Sequence, residues 1–172
     1  MSRAFVKEDG PEPDDNPAEK PTSPHPNYIT RRGERLLQQE QERLVGALAE
    51  FTGAQDDPAR RRRKRELERD LRYVRARLDA AILVDASLQP KDRVLFGCAL
   101  TLRAEDGRPF KLRVVGEDEA EGRDEGWSLI PWPAPLANAL MGLKTGDSLD
   151  WDLGNGERRW TVESILRESD RP

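Results

Sequence analysis

Apolar side chains first recur at helical spacing after Thr30, as Leu37, Leu44, Leu48 and Phe51, which marks one face of a 3.6-residue repeat. Thr30 is a good N-cap, and Gly53 is the usual kind of residue just past a helix end, so the pattern predicts a helix over about 31–52. After a short polar loop, Asp57 followed by Pro58 is a helix-start signal, because proline suits the first helical position. Leu67, Leu71, Val74, Leu78 and Ala81 then follow at spacings of 4, 3, 4 and 3. That is a heptad seam. Two helices joined by so short a loop are antiparallel neighbours, so residues 27–85 read as a coiled-coil hairpin, a finger.

Beyond this the period changes from helical to strand-like. Residues 94–102 are apolar and strand-like, Asp106-Gly107 is a hairpin turn signal, and Phe110 to Val115 alternates. Further strands fit Trp127–Ile130, Ser148–Leu153 and Arg159–Leu166, and Pro135 to Met141 reads as one short helix ended by Gly142. Residues 86–168 are therefore expected to form a small α+β domain, with a short tail at 169–172. Residues 1–26 carry six prolines and, among large apolar groups, only Phe5 and Val6. Such a segment buries too little surface to offset the entropy of ordering, and a disordered acidic tail is expected there.

Composition narrows the chemistry. Among 172 residues, 36% are charged and 35% hydrophobic, a low apolar share that a finger with one buried stripe per helix accounts for. No apolar run approaches the ~18–20 residues of a membrane span, and Met1 to Gly10 has no apolar signal core. The single cysteine, Cys98, excludes an internal disulfide and fits a reducing compartment; it lies in an apolar strand and reads as a small buried hydrophobe. With His25 the single histidine, a Ser-His-Asp triad or a His-rich metal site is not expected. These features point to a cytoplasmic protein whose chemistry rests on carboxylates and arginines.

Charge is unevenly placed: residues 1–29, 30–83 and 84–172 carry net charges of −3, +4 and −5. Most unusual is the run Arg60, Arg61, Arg62, Arg63, Lys64 and Arg65. Cations near a helix N-terminus oppose the macrodipole and repel one another. Such a locally unfavourable run argues for an anionic partner, whether RNA, DNA or an acidic protein wall. Without interleaved aromatics it implies backbone contact and no base reading. The alternative is a solvated face partly neutralised by Asp56, Asp57, Glu66 and Glu68. Asp56 and Asp57 themselves have two readings: a carboxylate pair for Mg²⁺, or a loop residue beside a helix cap.

The order of parts resembles the bacterial transcript-cleavage factors of the GreA/GreB family. The hairpin opens with Tyr28-Ile29-Thr30; Val115-Gly116-Glu117-Asp118-Glu119-Ala120 matches the family's "VGxDEA" element; Pro135-Leu136-Ala137-Asn138-Ala139-Leu140 matches "SPLARAL", with Ala134 for the serine; and Gly142 to Asp147 matches "GKxVGD". The resemblance spans residues 27–168. It implies an FKBP-like antiparallel sheet domain that docks on bacterial RNA polymerase beside the secondary channel, and a finger that enters the channel. It also implies a factor that is not itself an enzyme and has no cofactor of its own. In the family, two tip carboxylates help hold Mg²⁺ in the polymerase active site, and hairpin cations contact nascent RNA. On this resemblance Asp118, Glu119, Trp132, Pro135 and Leu136 are docking candidates, and a monomer with no membrane contact is expected.

The sequence departs from the pattern at the tip. The family's "GDxSENAxY" is absent, and the hairpin is about two heptads short, which removes ~10 Å of reach per helix. Pro131-Trp132-Pro133 is inserted before the short helix. Shortened hairpins resemble the regulator of nucleoside diphosphate kinase, a polymerase-binding relative without a cleavage tip. Three functions stay open: an elongation factor that stimulates cleavage, a non-cleaving polymerase regulator, and a free-standing RNA-binding module.

Overall fold

The computed structural model describes residues 16–51, 57–122, 124, 126–154 and 156–167. A short strand β1 (Asn27–Ile29) leads into helix α1 (Arg31–Ala49), and helix α2 (Pro58–Asp79) returns to strand β2 (Ala81–Leu83). The Thr30 hydroxyl accepts a hydrogen bond from the Gly33 amide at 2.9 Å, capping α1. Asp57 does the same for α2, its carboxylate accepting from the Ala59 amide at 3.0 Å, with Pro58 at the first position. Between the helices Leu37, Leu44, Leu67, Leu71 and Val74 form a buried seam, edged by Leu48, Phe51 and Leu78. Each such side chain contributes about 1.5–3 kcal/mol on burial.

Two boundaries differ from the periodic pattern. The first helix ends at Ala49 rather than near residue 52. At the other end α2 stops at Asp79, so Ala81 leaves the seam and pairs in strand β2. Strands β1 and β2 run parallel, with Asn27, Tyr28 and Ile29 opposite Ala81, Ile82 and Leu83. Three residues are too few for alternation to announce a strand, and the pairing closes only once the finger has brought its two ends together.

The second unit is a five-stranded sheet of order β5-β4-β3-β7-β6. Its strands are β3 (Ala99–Ala104), β4 (Pro109–Val115), β5 (Ser128–Pro131), β6 (Ser148–Asp152) and β7 (Glu157–Leu166). The β3–β4 hairpin turns at the expected Asp106-Gly107, where Gly107 has φ of 83°. Residues 94–98 lie outside β3: Gly97, at φ of 80°, turns the chain and donates its amide to Val114 at 2.8 Å. The sheet is mixed rather than wholly antiparallel, because β4 and β5 pair parallel. A four-residue helix α3 (Glu117–Ala120), too short to carry a periodic signature, lies in the crossover that makes this possible. Helix α4 (Pro135–Leu140) covers the sheet, and Cys98, Leu100, Leu112, Val114, Ala137, Leu140 and Val162 are fully enclosed. Burial pushes the Cys98 thiol pKa up, which matches a packing role.

Within the proline-rich N-terminal segment, residues 16–26 form no helix or strand, yet they run against α2. Glu19 pairs with Arg72, and the Lys20 ammonium lies 3.2 Å from Asp70 and 5.4 Å from the centre of the Tyr73 ring. Residues 1–15 and 169–172, assigned from sequence to tails, lie outside the described residues, as does Glu168 at the expected end of the sheet domain.

Candidate functional site

At the free end of the finger, the tip is built by the first turn of α2. Arg60 folds back across the hairpin: its guanidinium lies 5.0 Å from the centre of the Phe51 ring and donates to the Glu50 carbonyl at 3.1 Å. A cation there satisfies a terminal carbonyl of α1 and complements the negative end of its dipole. Arg60 is thus a clasp between the helices. Arg61, Arg62, Arg63 and Lys64 are exposed and Arg65 is half-buried. Arg62 and Arg63 share Glu66 at 3.3 and 3.5 Å, and Lys64 reaches Glu68 at 3.8 Å. Long, exposed pairs of this kind are worth ~0.3–0.5 kcal/mol, so they leave the cations available to a stronger anion.

Of the two tip carboxylates, Asp57 is exposed and serves as the α2 cap, while Asp56 lies outside the described residues. Among the described residues no group of three or more His, Cys, Asp or Glu is gathered to hold a metal ion. Among the described tip residues, Asp57 is the carboxylate of the pair that can be placed, and it is engaged as a helix cap.

At the opposite end, the finger is fixed to the sheet by a buried ionic junction. Arg77, on the last turn of α2, donates Nε to Asp118 at 2.7 Å and Nη2 to the Asn27 side-chain oxygen at 2.6 Å. Asn27 returns a bond from Nδ2 to the Arg77 carbonyl at 2.7 Å. The Tyr73 hydroxyl donates to the second oxygen of Asp118 at 2.8 Å. Beside them Glu119 accepts from the Thr30 hydroxyl at 2.5 Å and from Arg32 at 2.8 Å. Each strong acceptor is thus met by donors from the finger. Burial, then the hydrogen bond to Asp118 and its charge, raise the Tyr73 pKa far above the ordinary phenol range. Close approach is required here: a Cβ on Gly116 would lie 2.7 Å from the Tyr28 carbonyl oxygen, and one on Gly33 would lie 3.0 Å from Glu119.

The structure separates the residues grouped from sequence as a docking face. The side chains of Asp118 and Glu119 are 12% and 3% exposed and are engaged by the finger. Leu136 is buried in the sheet core, and Pro135, the first residue of α4, is exposed. Trp132 is half-buried: its ring packs edge-on against Tyr28 at 5.3 Å and His25 at 5.7 Å. Sequence reasoning passed over Arg77, Asn27 and Tyr73. An arginine next to a seam is indistinguishable in sequence from a solvated one until its partner across 41 residues is known.

Comparison with known proteins places these units together. The family profile described as "Transcription elongation factor, GreA/GreB, C-term" matches residues 89–167. The Transcription elongation factor GreB of Neisseria meningitidis serogroup B is 30% identical over 154 residues, covering 81% of this chain and 93% of that protein. The GreB of Pseudomonas syringae pv. tomato is 38% identical over 104 residues, covering 60% of this chain and 64% of its own length. A Transcription elongation factor GreA from Novosphingobium aromaticivorans is 26% identical over 137 residues, covering 76% of this chain and 85% of its own.

Proposed function

Since the chain belongs to the GreA/GreB family of transcription elongation factors, we propose that it binds bacterial RNA polymerase beside the secondary channel and regulates elongation without stimulating cleavage of backtracked RNA. The sheet domain docks, and the finger is held in a set direction into or across the channel. The observation that carries this reading is the tip: its described carboxylate caps a helix, and the surface around it is cationic. A finger of this kind carries positive charge towards the channel, and its described tip carboxylate is engaged within the helix. α1 and α2 have 19 and 22 residues, about 28 and 33 Å at 1.5 Å per residue.

The junction supports the lever-like role. Buried ion pairs contribute little net stability against apolar packing, but they enforce one geometry strongly, because breaking them leaves a charge enclosed. The arrangement around Arg77 and Asp118 therefore favours one finger direction relative to the docking domain. On this reading the factor acts by occupancy of the channel and by the charge it brings there.

The test uses backtracked elongation complexes with cognate polymerase. Binding to polymerase is expected, with a changed elongation or pausing rate and no increase in RNA cleavage. Cleavage that rises with the wild-type protein and is lost in Asp56→Ala/Asp57→Ala would overturn the non-cleaving reading. Failure to bind polymerase, together with salt-sensitive binding to free RNA, would leave the RNA-binding module instead.

A further inference from the structure

At the end of the sheet away from the finger, a cavity serves neither the junction nor the seam. Strand alternation builds it, since side chains two residues apart point the same way. Arg108 and Phe110 at the start of β4 share a face, and so do Arg158 and Trp160 on β7. β3 runs between these strands, and the small Ala104 opposite Trp160 lets the Phe110 and Trp160 rings meet across it at 6.1 Å. With Pro109 and Leu153 the rings line a cavity of about 300 Å³, and its two charged walls are Arg108 and Arg158. The Trp160 indole nitrogen already donates to the Trp151 carbonyl at 3.1 Å, so the ring offers the cavity apolar surface.

Charge narrows the occupant. Arg108 and Arg158 converge on a single oxygen of Asp106, at 2.5 and 2.9 Å. Their side chains are 66% and 34% exposed. One carboxylate between two guanidiniums leaves a net positive charge, and each guanidinium has more donors than that one oxygen can accept. Glu105 and Glu157 line the adjoining groove, not this cavity. Beyond Pro109 and Phe110 a more open groove holds Lys111, whose ammonium lies 5.7 Å from the centre of the Trp127 ring. Cavity and groove share Pro109 and Phe110, so an extended chain can cross both. A volume of this size is at the lower end for ligand sites and accommodates one bulky side chain. Residues 84–172 carry a net charge of −5, which opposes a polyphosphate at long range but not a short segment with one or two carboxylates.

We propose that this end of the sheet binds an extended acidic peptide segment of another protein. A bulky apolar side chain fills the cavity, and a neighbouring carboxylate is gripped by Arg108 and Arg158, whose planar forks match carboxylate geometry. Aromatic rings beside arginines are also the composition of binding hot spots. The site is remote from the finger. Trp132, which donates its amide to the Val115 carbonyl at 2.9 Å, lies at the other end of β4. Val115 is five residues from Phe110, or ~17 Å of strand. Occupancy therefore leaves the junction intact, and the proposal stands or falls separately from the proposed function.

The full chain, isotopically labelled for amide NMR, is titrated with acetyl-Ala-Asp-Phe-Asp-Ala-amide and with a counterpart carrying asparagine for both aspartates. The acidic peptide is expected to shift the Gly107 and Gly156 amide signals and the Trp160 indole signal at millimolar concentration, leaving Gly97 unmoved. It should bind about tenfold more tightly than the neutral peptide at low salt, and the gap should close as salt rises. In Arg108→Gln/Arg158→Gln this preference is expected to vanish, while the weak binding of the neutral peptide persists and shows that the cavity is still formed. Equal affinity of the wild type for both peptides, shifts outside this end of the sheet, or no shift at all would overturn the proposal. An unchanged preference in the double variant would do the same. So would a decauridylate that moves these signals at lower concentration than the acidic peptide, since the groove would then be a nucleic-acid surface.

Discussion

Single residues at the junction convert a flexible connection into a fixed one. Gly116 is the clearest case: with a Cβ 2.7 Å from the Tyr28 carbonyl oxygen, Gly116→Ala forces apart β1 and the start of α3. Overpacking of this kind costs ~1–3 kcal/mol, to be read from the denaturant midpoint. Tyr73 gives a pH signature. Its folded pKa is raised by burial and by the Asp118 carboxylate, so the folded state resists ionisation where the unfolded phenol, at ~10, does not. The stabilisation is complete below pH ~10 and falls as pH rises above that value towards the folded pKa. Denaturation between pH 8 and 11 is expected to show this loss in the wild type. In Tyr73→Phe the alkaline slope should be shallower, since the phenol whose ionisation is resisted in the folded state has been removed. An unchanged slope would mean that Tyr73 is not held by Asp118 in solution.

Among the elements, the finger was the most legible in sequence. Its caps, Thr30 and Asp57, and its seam, Leu67, Leu71 and Val74, are local signals that survive into the structure unchanged. The β3–β4 turn and α4 were legible for the same reason. What escaped is non-local: the β1–β2 pair, the parallel placement of β5, and the partners of Asp118 and Glu119 depend on contacts across tens of residues. The two roles open to Asp57 can now be separated at this scale. Asp57→Ala removes the cap and is expected to cost ~1 kcal/mol, whereas Asp57→Asn keeps a good cap and removes the charge. If Asp57 acts only as a cap, the asparagine variant should match the wild type in stability and in its effect on elongation. A normal stability with a lost effect would assign the carboxylate a direct role.

For the whole molecule, the two units differ in how much they can sustain alone. The sheet encloses a broad core, from Val94 to Val162, while the finger buries a seam of five side chains between two helices. Most helical stability comes from tertiary packing, and beyond its narrow seam the finger packs at its base, where Arg77 is 4% exposed and Glu119 equally so. The chain carries its own two reporters: all four tryptophans, Trp127, Trp132, Trp151 and Trp160, lie in the sheet domain, and most helical residues lie in the finger. In the wild type, tryptophan fluorescence and the helical circular-dichroism signal are expected to change together on addition of urea. Arg77→Ala leaves Asp118 enclosed without its cation, a loss of about 3–5 kcal/mol that falls on the connection rather than on either core. The helical signal should then disappear at lower urea than the fluorescence. Since the sheet domain would persist through that first transition, the same variant is expected to keep its hold on polymerase and lose its effect on elongation. Coincident transitions in Arg77→Ala would show that the finger stands without its base, and the lever would have to be sought in the seam.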